Sequence, residues 1–164
     1  MTVYDLQNLF SQYGIIILSL LVFVEYLSIP GYPGGAVLPL MGVMAQFGVF
    51  PFWKGYLAAL VAAVASFTVV YWVGYLFNKP VTDFFSRRKK TTVYFQRIDG
   101  YLQRFGNSTL FFSRLMPVIR SFISIPAGVL KMNFWVYFLL SLAGTVLFIL
   151  MMMGAGFFFT GLFV

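Results

Sequence analysis

The sequence contains neither cysteine nor histidine. Without cysteine there is no disulfide, no thiol chemistry and no thiolate metal site. Without histidine the commonest general base and the commonest metal ligand are gone. Charge is scarce as well: Asp, Glu, Lys and Arg make up 9% of the 164 residues, four acidic against eleven basic. A soluble domain carries about 25% charged residues, so this chain has too little charge to cover a water-facing surface. That excludes an ordinary soluble enzyme, a disordered chain and a collagen-like fibre. Apolar residues fill the sequence instead, 61% of it, with 21 Phe and 10 Tyr and a mean hydropathy of +0.91. This is the composition of an integral membrane protein, with room for about three to five segments of ~20 residues.

The net charge of +7 is concentrated in one place. Lys79, Arg87, Arg88, Lys89, Lys90, Arg97 and Arg104 stand against Asp83 and Asp99, seven basic less two acidic, or +5. The positive-inside rule puts this loop, 79–106, in the cytoplasm. The Arg87–Lys90 run reads as solvated or resting on anionic headgroups, worth about 1 kcal/mol per charge near the surface, and not as a nucleic-acid site. The N-terminal MTVYDLQNLFSQYG has no basic residue and no small-residue cleavage site before the apolar run. It is expected to lead into a retained membrane helix and not a removable leader.

The chain reads as one membrane domain, with a first half (1–78), the basic loop and a second half (107–164). Gly14–Pro30 is apolar except for Glu25, and Gly55–Phe77 is a clean apolar run of spanning length. Phe134–Val164 is free of charge and longer than one span needs, with Gly144, Gly154 and Gly156 as expected weak points for a kink. Thr91–Phe105 has the near-helical apolar spacing of an amphipathic interfacial helix. Two apolar segments are broken: Pro33–Phe50 by proline and glycine, Asn107–Gly128 by Arg114, Pro117, Arg120 and Pro126. Paired broken segments in corresponding positions point to a transporter built from inverted repeats. Irregular backbone at membrane depth is tolerated only when buried in protein or lining a wet cavity. The expected fold is therefore all-α, an inverted repeat with two opposed re-entrant helical hairpins (33–50 and 107–128), about three full transmembrane spans and the interfacial helix. Five plain spans with proline kinks is the alternative, and it places the N-terminus on the other side.

Three charges lie inside apolar segments: Glu25, Arg114 and Arg120. Each costs at least ~2.5 kcal/mol at a helix centre, so each calls for a partner or a wet cavity. Together they sum to +1, which suits an anion. Arginine stays protonated and its planar fork fits phosphate oxygens. On a continuous helix Arg114 and Arg120 point about 120° apart, and a bend at Pro117, which lacks an N–H donor, would turn both toward one cavity. Glu25 is either part of that binding site or a structural partner of one arginine, and the two roles are compatible. Gly34, Gly35 and Pro39 are expected to shape the first hairpin and Pro117 the second. No catalytic residue, metal-ligand set or cofactor is expected. The chain therefore does not read as an enzyme: a lipid phosphatase needs a histidine or a carboxylate–metal cluster.

These residues resemble a known family. Phe111-Phe112-Ser113-Arg114-Leu115-Met116-Pro117-Val118-Ile119-Arg120-Ser121, followed by Pro126-Ala127-Gly128, is similar to the R-x-x-P-x-x-R … A-G signature of DedA membrane proteins, with Arg104-Phe105-Gly106 as its lead-in. Glu25 and Pro30-Gly31-Tyr32-Pro33-Gly34-Gly35-Ala36-Val37-Leu38-Pro39-Leu40 resemble the family's E … P-x-P-G-E-x-x-L-P segment, with Gly35 where many members have an acid. The resemblance covers about residues 20–140. It implies two opposed re-entrant hairpins in a bacterial inner membrane. It also implies a lipid translocase, flippase- or scramblase-like, for a phosphate-bearing lipid such as undecaprenyl phosphate or a phospholipid, with Glu25, Arg114 and Arg120 as its functional positions. Phosphate-headgroup lipids are the expected partners, with a homo-oligomer possible. The alternative is a proton-coupled exporter of small solutes or cations using Glu25. A structural or chaperone-like membrane protein with no substrate also fits.

Overall fold

The computed structural model describes residues 3–27, 35–77, 108–116, 120 and 123–161, with side chains from Tyr13 in the first helix and from Leu110 in the fourth. The basic loop 79–106 with its amphipathic stretch, Gly34 and Pro117 lie outside the described residues. Every described element is helical: α1 (Val3–Tyr26), α2 (Val37–Gln46), α3 (Phe52–Leu76), α4 (Ser108–Leu115), α5 (Ser124–Val129) and α6 (Phe134–Gly161).

Helices α3 and α6 are the two described helices long and apolar enough to cross a bilayer. Their 25 and 28 residues correspond to roughly 38 and 42 Å of rise, against about 30 Å of hydrocarbon. They carry large apolar side chains on exposed faces, among them Leu57, Val61 and Trp72 on α3 and Leu139, Leu147 and Leu150 on α6. Apolar exposure of this extent matches lipid, not water. Helix α1 is 24 residues long, with an apolar Tyr13–Tyr26 portion.

Local chemistry sets the helix ends. Pro51 starts α3, its carbonyl accepting from the Lys54 and Gly55 N–H groups. Asn133 caps α6 through Oδ1, which accepts from the N–H groups of Trp135 (3.0 Å) and Val136 (3.5 Å). Both short helices that precede a long one, α2 and α5, end in a Schellman motif. After α2, Gly48 N–H donates to Ala45 O and Val49 N–H to Met44 O. After α5, Lys131 N–H donates to Gly128 O and Met132 N–H to Ala127 O. The left-handed residue is Gly48 (φ 73°) in the first and Lys131 (φ 50°) in the second.

The chain divides into two compact units, residues 1–65 with 146–164 and residues 66–145. Each long helix contributes one part to each unit. In the first unit, Leu18, Val22, Leu38, Met41, Phe148, Ile149 and Met153 form an apolar core. There α2 lies backbone to backbone on the C-terminal part of α6: a Cβ on Gly42 would overlap the Met153 carbonyl, and one on Gly156 the Pro39 carbonyl. In the second unit α5 lies on the C-terminal part of α3 in the same way, Gly128 against the Tyr71 carbonyl and Gly74 against the Ile125 carbonyl. Each contact is thus a reciprocal pair in which a glycine on one helix faces the carbonyl three residues before a glycine on the other. Small residues that let helix backbones meet are the usual glue of membrane helices.

The glycines of α6 correct an expectation. The helix runs unbroken through Gly144, Gly154 and Gly156. Gly144 and Gly156 are positions of close approach, Gly144 against the Arg114 side chain and Gly156 against α2, and only Gly154 faces open space. Packing against both glycines holds the helix where an isolated one would be weakened.

Candidate functional site

The site is built in the second unit, from α4, α5 and the N-terminal part of α6. Arg114 stands in the last turn of α4, where a cation is favoured by the helix dipole. Its stem lies against Gly144 of α6, and a Cβ on that glycine would come within 2.6 Å of the Arg114 Cβ. This contact lets the guanidinium reach into the unit, where it is 1% exposed. Nη1 donates to the Arg120 carbonyl (2.9 Å). Nη2 faces three oxygens: Ser124 Oγ at 2.9 Å, Tyr137 OH at 2.8 Å and Ser141 Oγ at 3.2 Å. The guanidinium carbon lies 4.7 Å from the centre of the Phe67 ring, within cation–π range.

The hydroxyl of Tyr137 is itself fixed. It donates to the Phe67 carbonyl (3.1 Å), so its lone pairs are left to accept from Arg114. The Tyr137 ring stacks on Tyr71, centroids 4.6 Å apart, and Tyr71 in turn donates to the Met132 carbonyl. All the acceptors around Arg114 are neutral, and the only described charged residues of this unit are Arg114, Arg120 and Lys131. Among the described residues, the Arg114 guanidinium is therefore solvated by neutral dipoles.

Arg120 is equally buried, at 1% exposure, and its N–H donates to the Met116 carbonyl. The structure thus brings Arg114 and Arg120 together through a side-chain-to-carbonyl bond. Glu25 lies in the other unit, 4% exposed. Its Oε1 accepts from the Gly35 N–H at 2.9 Å, tying the end of α1 to the residues that lead into α2. Gly35 has φ 112°, a conformation costly for a residue with a Cβ, so the position calls for glycine. Pro39 lies in the first turn of α2 and is one of the carbonyls in the reciprocal contact with α6.

Sequence reasoning named both arginines but missed Tyr137, Ser141, Ser124 and Phe67. A signal was present. Tyr137, Ser141 and Thr145 recur every fourth residue in an otherwise apolar helix, which places them on one face, and all three are buried. Among the described residues no group of three acidic, histidine or cysteine side chains comes together to hold a metal.

The VTT domain family model matches residues 33–158 of the chain. The membrane protein YkoX of Bacillus subtilis, itself uncharacterized, is 32% identical over 114 residues, covering 68% of this chain and 51% of that protein. Undecaprenyl phosphate transporter A of the same organism is 30% identical over 109 residues, 62% of this chain and 52% of the relative. Protein DedA of Escherichia coli is 25% identical over 161 residues, 94% of this chain and 74% of the relative. The chain thus spans about half the length of the first two. No solved structure matches it.

Proposed function

Because the chain belongs to the DedA family of VTT-domain membrane proteins, we propose that it transports a phosphate-bearing lipid, such as undecaprenyl phosphate or a phospholipid, across a bacterial inner membrane. The observation that carries this reading is the burial of two arginines, Arg114 and Arg120, close together, with the described acceptors of Arg114 all neutral. A buried cation attracts an anion strongly because the surrounding dielectric is low, and a guanidinium matches phosphate oxygens in geometry. The relative named undecaprenyl phosphate transporter A supports the choice of lipid class. The phosphate would be gripped by the arginines while the lipid tails stay in the bilayer.

The recurrence of one frame in both units supports the inverted-repeat reading: a broken or short helix, a Schellman stop, a long helix beginning Phe-Trp, and a reciprocal glycine contact. On this reading 33–50 and 107–128 are re-entrant hairpins and the basic loop 79–106 is cytoplasmic. The same layout is what transporters use to place a site between broken helices.

The test is translocation of a polyprenyl phosphate and a panel of phospholipids by the purified protein in liposomes, wild type beside Arg120→Ala and Arg114→Ala. The expected result is movement of a phosphate lipid that both substitutions abolish. Movement unaffected by either substitution would sink the reading. A second reading, a proton-coupled exporter, draws on the buried carboxylate of Glu25. It predicts that Glu25→Gln stops solute efflux while the arginine variants retain it.

A further inference from the structure

The contacts of Arg114 are unevenly distributed. A guanidinium carries five N–H donors. The two on Nη2 face three oxygens, from Ser124, Tyr137 and Ser141. The one on Nε is buried and meets no acceptor among the described residues. Nε and Nη2 share one edge of the guanidinium, so a crowded nitrogen stands beside an unserved one. Unserved buried donors, charged ones above all, are rare because they forfeit hydration without recompense.

The three hydroxyls differ in the proton each holds. Tyr137 spends its proton on the Phe67 carbonyl. Ser124 and Ser141 accept from Arg114 and donate to nothing among the described residues. Each therefore holds an unused O–H donor beside a cation. One turn beyond Ser141 on the same helix, Thr145 is also buried, and its hydroxyl has no partner among the described residues. Neutral oxygens packed around a guanidinium, with spare O–H groups of their own, can turn from accepting to donating when an oxyanion arrives. The Ser141 contact, the longest of the three, is the first to yield, and Ser124 follows.

We propose that Ser124 and Ser141 are ligands of a buried phosphate subsite whose floor is the Nε–Nη2 edge of Arg114, with Tyr137 as the residue that holds that edge in place. This deepens the transport reading and rests on it. Two phosphate oxygens span the guanidinium edge, taking the Nε–H and one Nη2–H, and the two serine hydroxyls rotate to donate to the same group. Tyr137 stays bonded to both Arg114 and the Phe67 carbonyl throughout. The shared chemistry is a phosphate oxyanion, whether borne by a lipid or free.

The purified full chain in detergent tests this through the rise in melting temperature on ligand addition, which scales with affinity. The probes are a short polyprenyl phosphate, the matching polyprenol without phosphate, and inorganic phosphate. The wild type is expected to be stabilised by the polyprenyl phosphate well beyond the polyprenol. Ser124→Ala/Ser141→Ala is expected to need about tenfold or more polyprenyl phosphate for the same rise, the loss of charge-assisted hydrogen bonds. Ser141→Ala alone gives a smaller shift in the same direction, and Ser141→Thr restores the response because the hydroxyl is kept. A serine-dependent rise with inorganic phosphate alone supports the subsite and assigns it to the free ion as well as to the headgroup. An equal response of wild type and double variant overturns the subsite and leaves the lipid reading standing. A wild type that does not distinguish polyprenyl phosphate from polyprenol, and ignores inorganic phosphate, overturns both.

Discussion

Aligned on the Phe-Trp pairs that begin α3 and α6, Ser141 corresponds to Ala59 and Tyr137 to Gly55. The glycines that meet the short helices, Gly74 and Gly156, fall at the same position in both. The two units therefore share these contacts and differ in their filling. Of the eight described buried polar or charged residues, only Glu25 belongs to the first unit, and the other seven are in the second. Where the first unit packs Leu18, Val22, Leu38 and Met41 against Phe148, Ile149 and Met153, the second seats a guanidinium among hydroxyls. Backbone contact that depends only on glycine is indifferent to what the neighbouring side chains are. The same kind of backbone contact thus accompanies an apolar core in one unit and a polar site in the other.

The sharpest way to break this comparison is to remove the charge from the polar unit. Arg114→Ala would leave the Arg120 carbonyl and the buried hydroxyls without their donor and open a cavity. It is expected to cost about 3–5 kcal/mol, read as a loss of thermal stability in detergent together with loss of the proposed transport. A conservative core change in the apolar unit, Leu38→Met, should cost under about 1.5 kcal/mol.

The shared frame is tested by Gly42→Ala and Gly128→Ala. Each adds a methyl where a backbone carbonyl already lies, and the cost is expected to be about 1–3 kcal/mol. Similar losses in the two variants sharpen the repeat; a neutral result at one glycine breaks it. A smaller effect is expected from exchanging the filling. Ser141→Ala should cost about 1 kcal/mol through a lost charged hydrogen bond. Ala59→Ser, which buries a hydroxyl in the apolar unit, should cost a similar amount. Both are measured by chemical or thermal unfolding.

The smallest effect is expected at the two Schellman stops. Lys131 holds a left-handed conformation that Gly48 holds in the other motif. Lys131→Gly is expected to raise stability by up to about 1 kcal/mol, and Gly48→Ala to lower it by about the same amount. Equal and opposite shifts in melting temperature would confirm that the two stops are one motif with different residues.

The long apolar helices, the family and the two buried arginines were legible in the sequence because each rests on composition or on local spacing. Long apolar runs must be helical in a bilayer, where every backbone group has to be satisfied within its own segment. An arginine in such a run must be buried in protein or reach water. The role of Gly144 and Gly156 was not legible. A glycine in a helix reads as a weakness until the partner that needs its missing Cβ is known, and the partners, Arg114 and Pro39, are distant in sequence. Tyr137, Ser141 and Ser124 escaped for the same reason: a hydroxyl in an apolar helix signals burial and says nothing of what it will bond. That Nη1 of Arg114 would close on the Arg120 carbonyl, and Nη2 on three hydroxyls from α5 and α6, was decided only by tertiary structure. The sequence by itself determined that two cations would be buried in the membrane domain, since hydropathy is additive along the chain. Only packing decided which neutral groups solvate them, because directional hydrogen bonds depend on the positions of atoms that the order of residues does not place.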